Sequence, residues 1–160
     1  APGSVVTTAS QDGLCAATGI YGVSKHACVA LTEALHQEVG GRLSVHTLCP
    51  NVTSTSIMSS ERKRPERFGG GASVKATRRP RAGSVEERFQ ALGTPPSRVA
   101  AQVFESIQSG VFHILAENDH DPGFVRLQAE TRMNAILSGT RPYRPDSPLF
   151  SNIFNLGAKL

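Results

Sequence analysis

The chain has 160 residues, of which 39% are hydrophobic and 19% are charged, and this composition is typical of one soluble globular domain. No apolar run in it approaches the roughly 20 residues that a membrane-spanning helix needs, so the sequence predicts no such helix. The formal net charge of +4 is concentrated in residues 61–84, which hold eight Lys or Arg and two Glu. The remaining chain is slightly acidic, which argues against a general nucleic-acid-binding protein.

The three cysteines, Cys15, Cys28 and Cys49, show no C-x-x-C spacing, and no histidine stands at zinc-ligand spacing from them. An odd number of cysteines without a disulfide framework is typical of proteins in reducing compartments. The sequence therefore predicts free thiols, no metal site and a cytoplasmic location.

A strand is predicted near the start of the chain, where the β-branched run SVVTT covers residues 4–8. The sequence SQDG at residues 10–13 predicts a loop beyond the carboxyl end of this strand. Ligand sites in open α/β sheets lie outside the carboxyl ends of the strands, so Ser10 is a candidate site residue. The alternative is a turn serine that bonds its own backbone.

A helix is predicted over residues 21–39, which open with YGVSK and end before a pair of glycines. Tyr21 and Lys25 stand four residues apart, so their side chains project from one face of that helix. An ammonium beside a phenol favours the ionised phenol, which can exchange a proton with an alcohol or carbonyl oxygen. A surface aromatic beside a solvated lysine is the alternative. The apolar residues predicted to face the core are Ala27, Leu31, Leu35 and Val39.

A second strand is predicted over residues 43–48, and the sequence CPN at residues 49–51 ends it. A strand followed by Ser-x-x-Gly, then Tyr-x-x-x-Lys on a helix, then a strand followed by Pro-x-x-x-x-Thr closely resembles the short-chain dehydrogenase/reductase family. The likeness is strongest over residues 3–57 and continues more loosely to about residue 142.

The resemblance implies an oxidoreductase that uses NAD or NADP and transfers hydride between nicotinamide and an alcohol or carbonyl substrate. It implies that Ser10, Tyr21 and Lys25 are catalytic, with Thr8 as the alternative to Ser10. It also implies that Tyr21 and Lys25 contact the cofactor.

The same resemblance implies that the loop after the second strand approaches the cofactor. The implied contact residues are Pro50, Asn51, Thr53 through its backbone and Thr55 through its hydroxyl group. The family usually has glycine where this chain has Asn51. The resemblance also implies that residues 14–20, including Cys15, Thr18 and Ile20, line one side of the substrate pocket.

Residues 58–97 combine basic clusters, a glycine triplet and prolines, a composition that favours a mobile loop over a packed core. The resemblance implies a substrate loop here, and a basic lid would favour acidic substrates or phosphate-bearing acyl carriers. One alternative is a solvated flexible loop. Another is a nucleic-acid-contacting segment at residues 61–84, although Phe68 is the one aromatic residue among its charges.

Three further elements are predicted: a helix from Pro95 or Pro96 to Gly110, a strand over residues 111–116 and a helix over residues 122–137. Residues 140–160 are predicted to be extended. The predicted fold is a partial doubly wound, Rossmann-like α/β domain with about three parallel strands. We expect this domain to span residues 1–142, with a C-terminal tail at residues 143–160.

The resemblance also implies that the chain covers only the C-terminal half of the family's domain. The sequence contains no Gly-x-x-x-Gly-x-Gly turn that would receive a pyrophosphate at a helix N-terminus. We therefore expect an exposed sheet edge and no activity from the isolated chain.

The expected partners are a small-molecule alcohol or carbonyl substrate and, as in the family, further copies of the chain, with neither nucleic acid nor membrane. A truncated, non-catalytic dimerisation fragment is an alternative of a different class. A hydrolase that uses Ser10 or Ser24 with Lys25 is another, but adjacent helical residues such as Ser24 and Lys25 point about 100° apart.

Overall fold

A computed structural model of the chain describes residues 3–16, 19–39, 41–69 and 83–154. The strands are β1 (Ser4–Thr8), β2 (Ser44–Pro50) and β3 (His113–Ala116). The helices are α1 (Gly19–Val39), α2 (Val85–Leu92), α3 (Pro96–Ser109), α4 (Phe124–Ser138) and α5 (Pro148–Phe154). Short 3-10 turns cover Gln11–Gly13, Ser56–Lys63 and Glu66–Phe68.

The three strands form one parallel sheet in the order β1-β2-β3. Thr8 pairs with Leu48, and Pro50 pairs with Ala116, so the carboxyl ends of all three strands lie along one edge. α1 connects β1 to β2, and α3 precedes β3, as parallel strands require crossover helices. The predicted α/β class with a three-stranded, Rossmann-like sheet is confirmed.

Apolar side chains pack on both faces of this sheet. Leu48 and Ile114 contact Val99 of α3 on one face, whereas Cys49 contacts Val29 of α1 on the other. Successive residues of a strand point to opposite faces, so β2 contributes to both layers through neighbouring positions. This packing places α1 and α3 on opposite faces of the sheet.

The ends of α3 and α4 agree with the sequence. α3 ends at Gly110 and α4 at Gly139, with φ of 71° and 67°, a left-handed conformation that favours glycine. No helix within the described ranges has the length and apolarity required to cross a membrane.

The predicted core face of α1 is wrong except at its last residue. Ala27 is exposed and Leu31 is 69% exposed, while Leu35 is half-buried. Thr32 is buried instead, and its Oγ1 is satisfied by a hydrogen bond that it donates to the carbonyl oxygen of Cys28 at 2.7 Å. Apolar residues occur on two faces of α1, and their periodicity alone does not select the face that packs on the sheet. The buried residues of α1 are Gly22, Val29, Thr32 and Val39.

The segment 58–97 contains more packed structure than its composition predicts. α2 begins after Ser84, whose Oγ accepts a hydrogen bond from the backbone N–H of Glu87 at 3.2 Å. Phe89 and Val85 of this helix pack against the buried Val52. The prediction that this segment lacks a packed core is therefore wrong for α2. Residues 70–82 of the predicted loop lie outside the described residues.

The extended conformation predicted from residue 140 onward is wrong for α5. Leu149 is 1% exposed and Ile153 is 0% exposed, and both join the cluster around Val52 and α2. The two residues stand one helical turn apart, so a short helix buries both against α2. Residues 155–160 lie outside the described residues, and the division of the chain at residue 142 stays a prediction.

Candidate active site

The loops at the carboxyl ends of β1 and β2 border a cavity of about 520 Å³. The residues that the sequence analysis names as site residues and that line this cavity are Ser10, Tyr21, Lys25, Pro50, Asn51, Thr53 and Thr55. Thr8, the alternative to Ser10, lines it as well. The structure therefore brings the predicted catalytic and cofactor-contact residues together around one space.

α1 places Tyr21 and Lys25 side by side, as their spacing predicts. Lys25 Nζ lies 5.7 Å from the centroid of the Tyr21 ring and donates a hydrogen bond to the carbonyl oxygen of Thr8 at 3.2 Å. This bond anchors the ammonium to the end of β1. The Tyr21 side chain is 46% exposed, so its phenol stands beside a fixed positive charge and remains accessible from the cavity.

Ser10 is buried at the start of the turn that follows β1. Its Oγ accepts a hydrogen bond from the backbone N–H of Asp12 at 3.2 Å. This is the bond expected of a turn serine, and it leaves the hydroxyl proton of Ser10 available to donate to another oxygen. Ser10 also lines the cavity, so its position agrees both with a turn serine and with a site residue.

Gly13 allows the turn that carries Ser10 to lie directly against α1. A Cβ atom at Gly13 would stand 2.7 Å from the carbonyl oxygen of Lys25 and 2.9 Å from Val29 Cγ2. Both distances are shorter than real Cβ contacts, so a side chain here would push the turn away from the helix. The glycine of the Ser-x-x-Gly motif thus sets the distance between Ser10 and the Tyr21–Lys25 pair.

The loop after β2 is closed by its own hydrogen bonds. Asn51 Oδ1 accepts from the backbone N–H of Val52 at 2.7 Å, and Thr53 Oγ1 donates to the carbonyl oxygen of Asn51 at 3.2 Å. α2 packs on this loop, because Ser54 Oγ donates to the carbonyl oxygen of Gln90 at 2.9 Å. The Asn51 side chain therefore stabilises this turn.

Two side-chain amides in the cavity wall are incompletely hydrogen-bonded. Gln11 Oε1 and Asn51 Nδ2 are buried and have no hydrogen-bond partner among the described residues. A buried polar atom without a partner costs about 1–3 kcal/mol. A ligand that pairs with either amide after a small side-chain rotation would remove that cost.

The cavity also has an apolar wall that the sequence analysis did not identify. Phe89 of α2 and Phe150 and Phe154 of α5 line it, together with Ile57 and Met58. All of these residues except Ile57 fall in the segments interpreted as a mobile loop and an extended tail. The available signal was the apolar i, i+4 spacing of Leu149 and Ile153, which indicates a short helix.

Part of the predicted substrate wall is wrong. Cys15 is fully buried and Ile20 is 83% exposed, and neither lines the cavity. Thr18 lies outside the described residues. The Ser24–Lys25 pairing of a hydrolase is also absent, since Ser24 Oγ donates to the carbonyl oxygen of Tyr21 at 2.7 Å.

The thiols near the site are held in their neutral form. Burial raises the pKa of Cys49 from 9.0 to about 11 and also raises the pKa of Cys15. A neutral thiol is a poor nucleophile and a poor metal ligand. In the described part of the chain, no cluster of three or more His, Cys, Asp or Glu side chains could hold a metal ion.

Comparison with known proteins shows which family the chain resembles. The family model for short chain dehydrogenases matches residues 1–66. No curated protein matches the sequence. Among solved structures, a short chain dehydrogenase/reductase from Burkholderia phymatum in complex with NAD is 29% identical, with a TM-score of 0.68. The match covers 92% of this chain and 52% of that one.

Two other solved structures are similar in fold. A putative short-chain dehydrogenase from Novosphingobium aromaticivorans is 24% identical with a TM-score of 0.52, over 97% of this chain and 43% of that one. A short-chain dehydrogenase from Sphingobium yanoikuyae in complex with NADPH is 15% identical with a TM-score of 0.51, over 91% and 48%. This chain spans about half the length of the solved structures that it matches.

The fold and the cavity together define an α/β protein with a candidate catalytic site at the carboxyl edge of a parallel sheet. The resemblance to the short-chain dehydrogenase/reductase family that the motifs predict is confirmed by the family model and the solved structures.

Proposed function

We propose that this chain carries the catalytic half of an NAD(P)-dependent oxidoreductase whose substrate is an alcohol or a carbonyl compound. The observation that carries the proposal is the placement of Ser10, Tyr21 and Lys25 around one cavity. The complex of the 29% identical Burkholderia phymatum enzyme with NAD supports the choice of cofactor.

A bound nicotinamide dinucleotide would supply or accept the hydride. Tyr21 Oη would give a proton to the carbonyl oxygen during reduction and take it back during oxidation. The Lys25 ammonium, fixed by the Thr8 carbonyl oxygen, would stabilise the phenolate that remains after the proton has left. Ser10 would donate its hydroxyl proton to the same substrate oxygen and so stabilise negative charge that develops there.

The residues that would hold the cofactor are those of the two loops and of α1. The polar groups present fit a nicotinamide carboxamide, a ribose and phosphates, because they offer an ammonium, hydroxyl groups and the unpartnered Asn51 Nδ2. The proposed contact residues are Tyr21, Lys25, Pro50, Asn51, Thr53 and Thr55. The isolated chain is expected to be inactive, because its sequence has no glycine-rich turn for the pyrophosphate.

Cofactor titration tests this proposal. The protein is a chimera in which the amino-terminal half of the Burkholderia phymatum enzyme precedes residue 1, and NADH or NADPH fluorescence reports binding. We expect binding of one or both cofactors, weakened by Lys25→Met. Lys63→Met is the matched control, because Lys63 is exposed and does not line the cavity. Equal affinities of the two variants, or no binding in either, would contradict the proposal.

Assembly of the chain into a homo-oligomer is proposed on a separate observation. Leu31 of α1 and Phe104 of α3 are 69% and 68% exposed, although both are large and apolar. Sedimentation velocity of the chain and of its Leu31→Lys variant tests this proposal. We expect the variant to dissociate into monomers. A monomer in both the parent chain and the variant would contradict the proposal. The free thiols Cys15, Cys28 and Cys49 support a cytoplasmic setting.

A further inference from the structure

The catalytic candidates and the phenylalanine side chains that line the cavity come from different elements. The polar groups of Ser10, Tyr21 and Lys25 come from the β1 loop and α1. An apolar wall is formed by α2, α5 and the turn Ser56–Lys63, whose lining side chains are apolar. The residues of this apolar wall are Ile57, Met58, Phe89, Phe150 and Phe154.

The aromatic part of the apolar wall is ordered. The rings of Phe150 and Phe154 are stacked, with centroids 5.9 Å apart and an angle of 19° between their planes. Both rings and that of Phe89 are half-buried in the protein, and all three residues line the cavity. Covering them with an apolar ligand would contribute about 25 cal/mol for each Å² removed from water.

The side chains of the apolar wall supply no counter-charge to a bound anion. Among the described residues that line the cavity, Asp12 and Lys25 carry charge. Asp12 is paired with Arg144 at 2.7 Å, and Lys25 is bonded to the Thr8 carbonyl oxygen at 3.2 Å. A carboxylate or phosphate placed against the phenylalanine rings would lose its hydration without a partner, which is costly.

The apolar wall is held in place before any ligand arrives. Arg88 Nε donates to the carbonyl oxygen of Ile153 at 2.7 Å, which ties α2 to α5. The Arg144 guanidinium lies 5.1 Å from the centroid of the Phe150 ring. A preformed wall lowers the ordering cost of binding, so its shape and polarity select the ligand.

We infer that the substrate is an uncharged alcohol or ketone that carries an apolar ring system. Its ring system lies against Phe89, Phe150 and Phe154, and its oxygen faces Tyr21 and Ser10. This inference rests on the proposed function for the identity of the reacting group. It differs from the acidic substrates that a basic lid would favour, because the described wall contributed by α2 and α5 is apolar.

Two matched ketones test the inference by binding to the chain, without any need for catalysis. 2-Acetylnaphthalene is neutral, and 6-acetyl-2-naphthoate carries a carboxylate on the ring that is remote from the ketone. Ligand-observed saturation-transfer NMR and fluorescence titration measure both affinities. We expect 2-acetylnaphthalene to bind at least about tenfold more tightly, since the carboxylate finds no partner. Equal or tighter binding of the anion, or no binding of the neutral ketone, would overturn the inference.

Variants then locate the bound ring. Phe150→Leu keeps an apolar side chain of similar size but removes the ring, and we expect it to weaken binding of 2-acetylnaphthalene about fivefold or more. Phe154→Leu guards against a folding defect in the first variant. Phe68→Leu is the control, because Phe68 is 62% exposed and does not line the cavity. Wild-type affinity in both Phe150→Leu and Phe154→Leu would overturn the assignment.

The outcomes separate this inference from the proposed function. Binding of the neutral ketone without hydride transfer in the chimera would support the inference and count against the oxidoreductase. Hydride transfer to 6-acetyl-2-naphthoate in preference to 2-acetylnaphthalene would support the oxidoreductase and overturn the inference.

Discussion

Arg144 Nη2 donates a hydrogen bond to Asp12 Oδ1 at 2.7 Å, and this ion pair joins the segment before α5 to the turn that carries Ser10. The two side chains are only 25% and 17% exposed. Asp12 also donates its backbone N–H to Ser10 Oγ, while the Arg144 guanidinium lies over the Phe150 ring. The pair therefore connects the apolar wall of the cavity to the candidate catalytic hydroxyl group.

Breaking this pair should destabilise the fold. Arg144→Met leaves the shielded Asp12 carboxylate without its partner, and we expect the free energy of unfolding in urea to fall by about 1–3 kcal/mol. Arg98→Met is the matched control, because Arg98 and its partner Asp119 are 52% and 65% exposed. An exposed pair contributes less than about 1 kcal/mol. Equal losses in the two variants would show that the Arg144 pair has no special role.

Gly13 offers a second test of how the turn is placed. Gly13→Ala puts a Cβ atom within 2.7 Å of the Lys25 carbonyl oxygen, and overpacking of this kind costs about 1–3 kcal/mol. Gly3→Ala serves as the control, since a Cβ atom there meets Leu43 Cδ2 at an ordinary 3.4 Å. Thermal unfolding followed by circular dichroism should show a lower midpoint for Gly13→Ala alone. Matching midpoints for the two variants would refute the close approach.

Stability should fall in alkali because of the buried Cys49 thiol. Its pKa is raised from 9.0 to about 11 in the folded protein, so between these values the unfolded chain loses a proton that the folded protein keeps. The stabilisation is present below about pH 9 and is lost as the pH rises to about 11. The loss amounts to about 3 kcal/mol, since one pKa unit corresponds to about 1.4 kcal/mol.

Urea unfolding at several pH values measures this loss. Cys49→Ala should lower the starting stability but flatten its decline above pH 9, while the raised pKa of Cys15 leaves a smaller slope of the same sign. A decline in Cys49→Ala as steep as in the wild type would rule out Cys49 as the cause.

The sequence predicts the parts of the site that depend on short spacings. The four-residue spacing of Tyr21 and Lys25 fixes their relation on a helix, and the position of Ser10 after a strand fixes its edge of the sheet. The strand–loop–helix order was sufficient for the fold class. Each of these predictions needs only local geometry and the direction of parallel strands.

The apolar wall and the buried face of α1 depend on contacts between remote segments. Phe89 and Phe150 belong to α2 and α5, which pack on Val52 and on each other. The local sequence signals for these two helices are weak, because short helices depend on packing for their stability. The hydroxyl of the buried Thr32 is satisfied by one hydrogen bond to the Cys28 carbonyl oxygen. The periodicity and the composition of a segment contain no information about its packing partner. They therefore predict neither the apolar wall nor the buried face of α1.

The most direct test of the account compares the two tyrosines in a hydride-transfer assay. The protein is the chimera with the amino-terminal half of the Burkholderia phymatum enzyme, and the loss of NADH or NADPH absorbance follows ketone reduction. Tyr143 is the internal control, because it is 64% exposed and does not line the cavity. We predict that Tyr21→Phe lowers kcat by about a hundredfold or more, while Tyr143→Phe stays close to the parent chimera. Equal kcat values for the two variants would contradict the account.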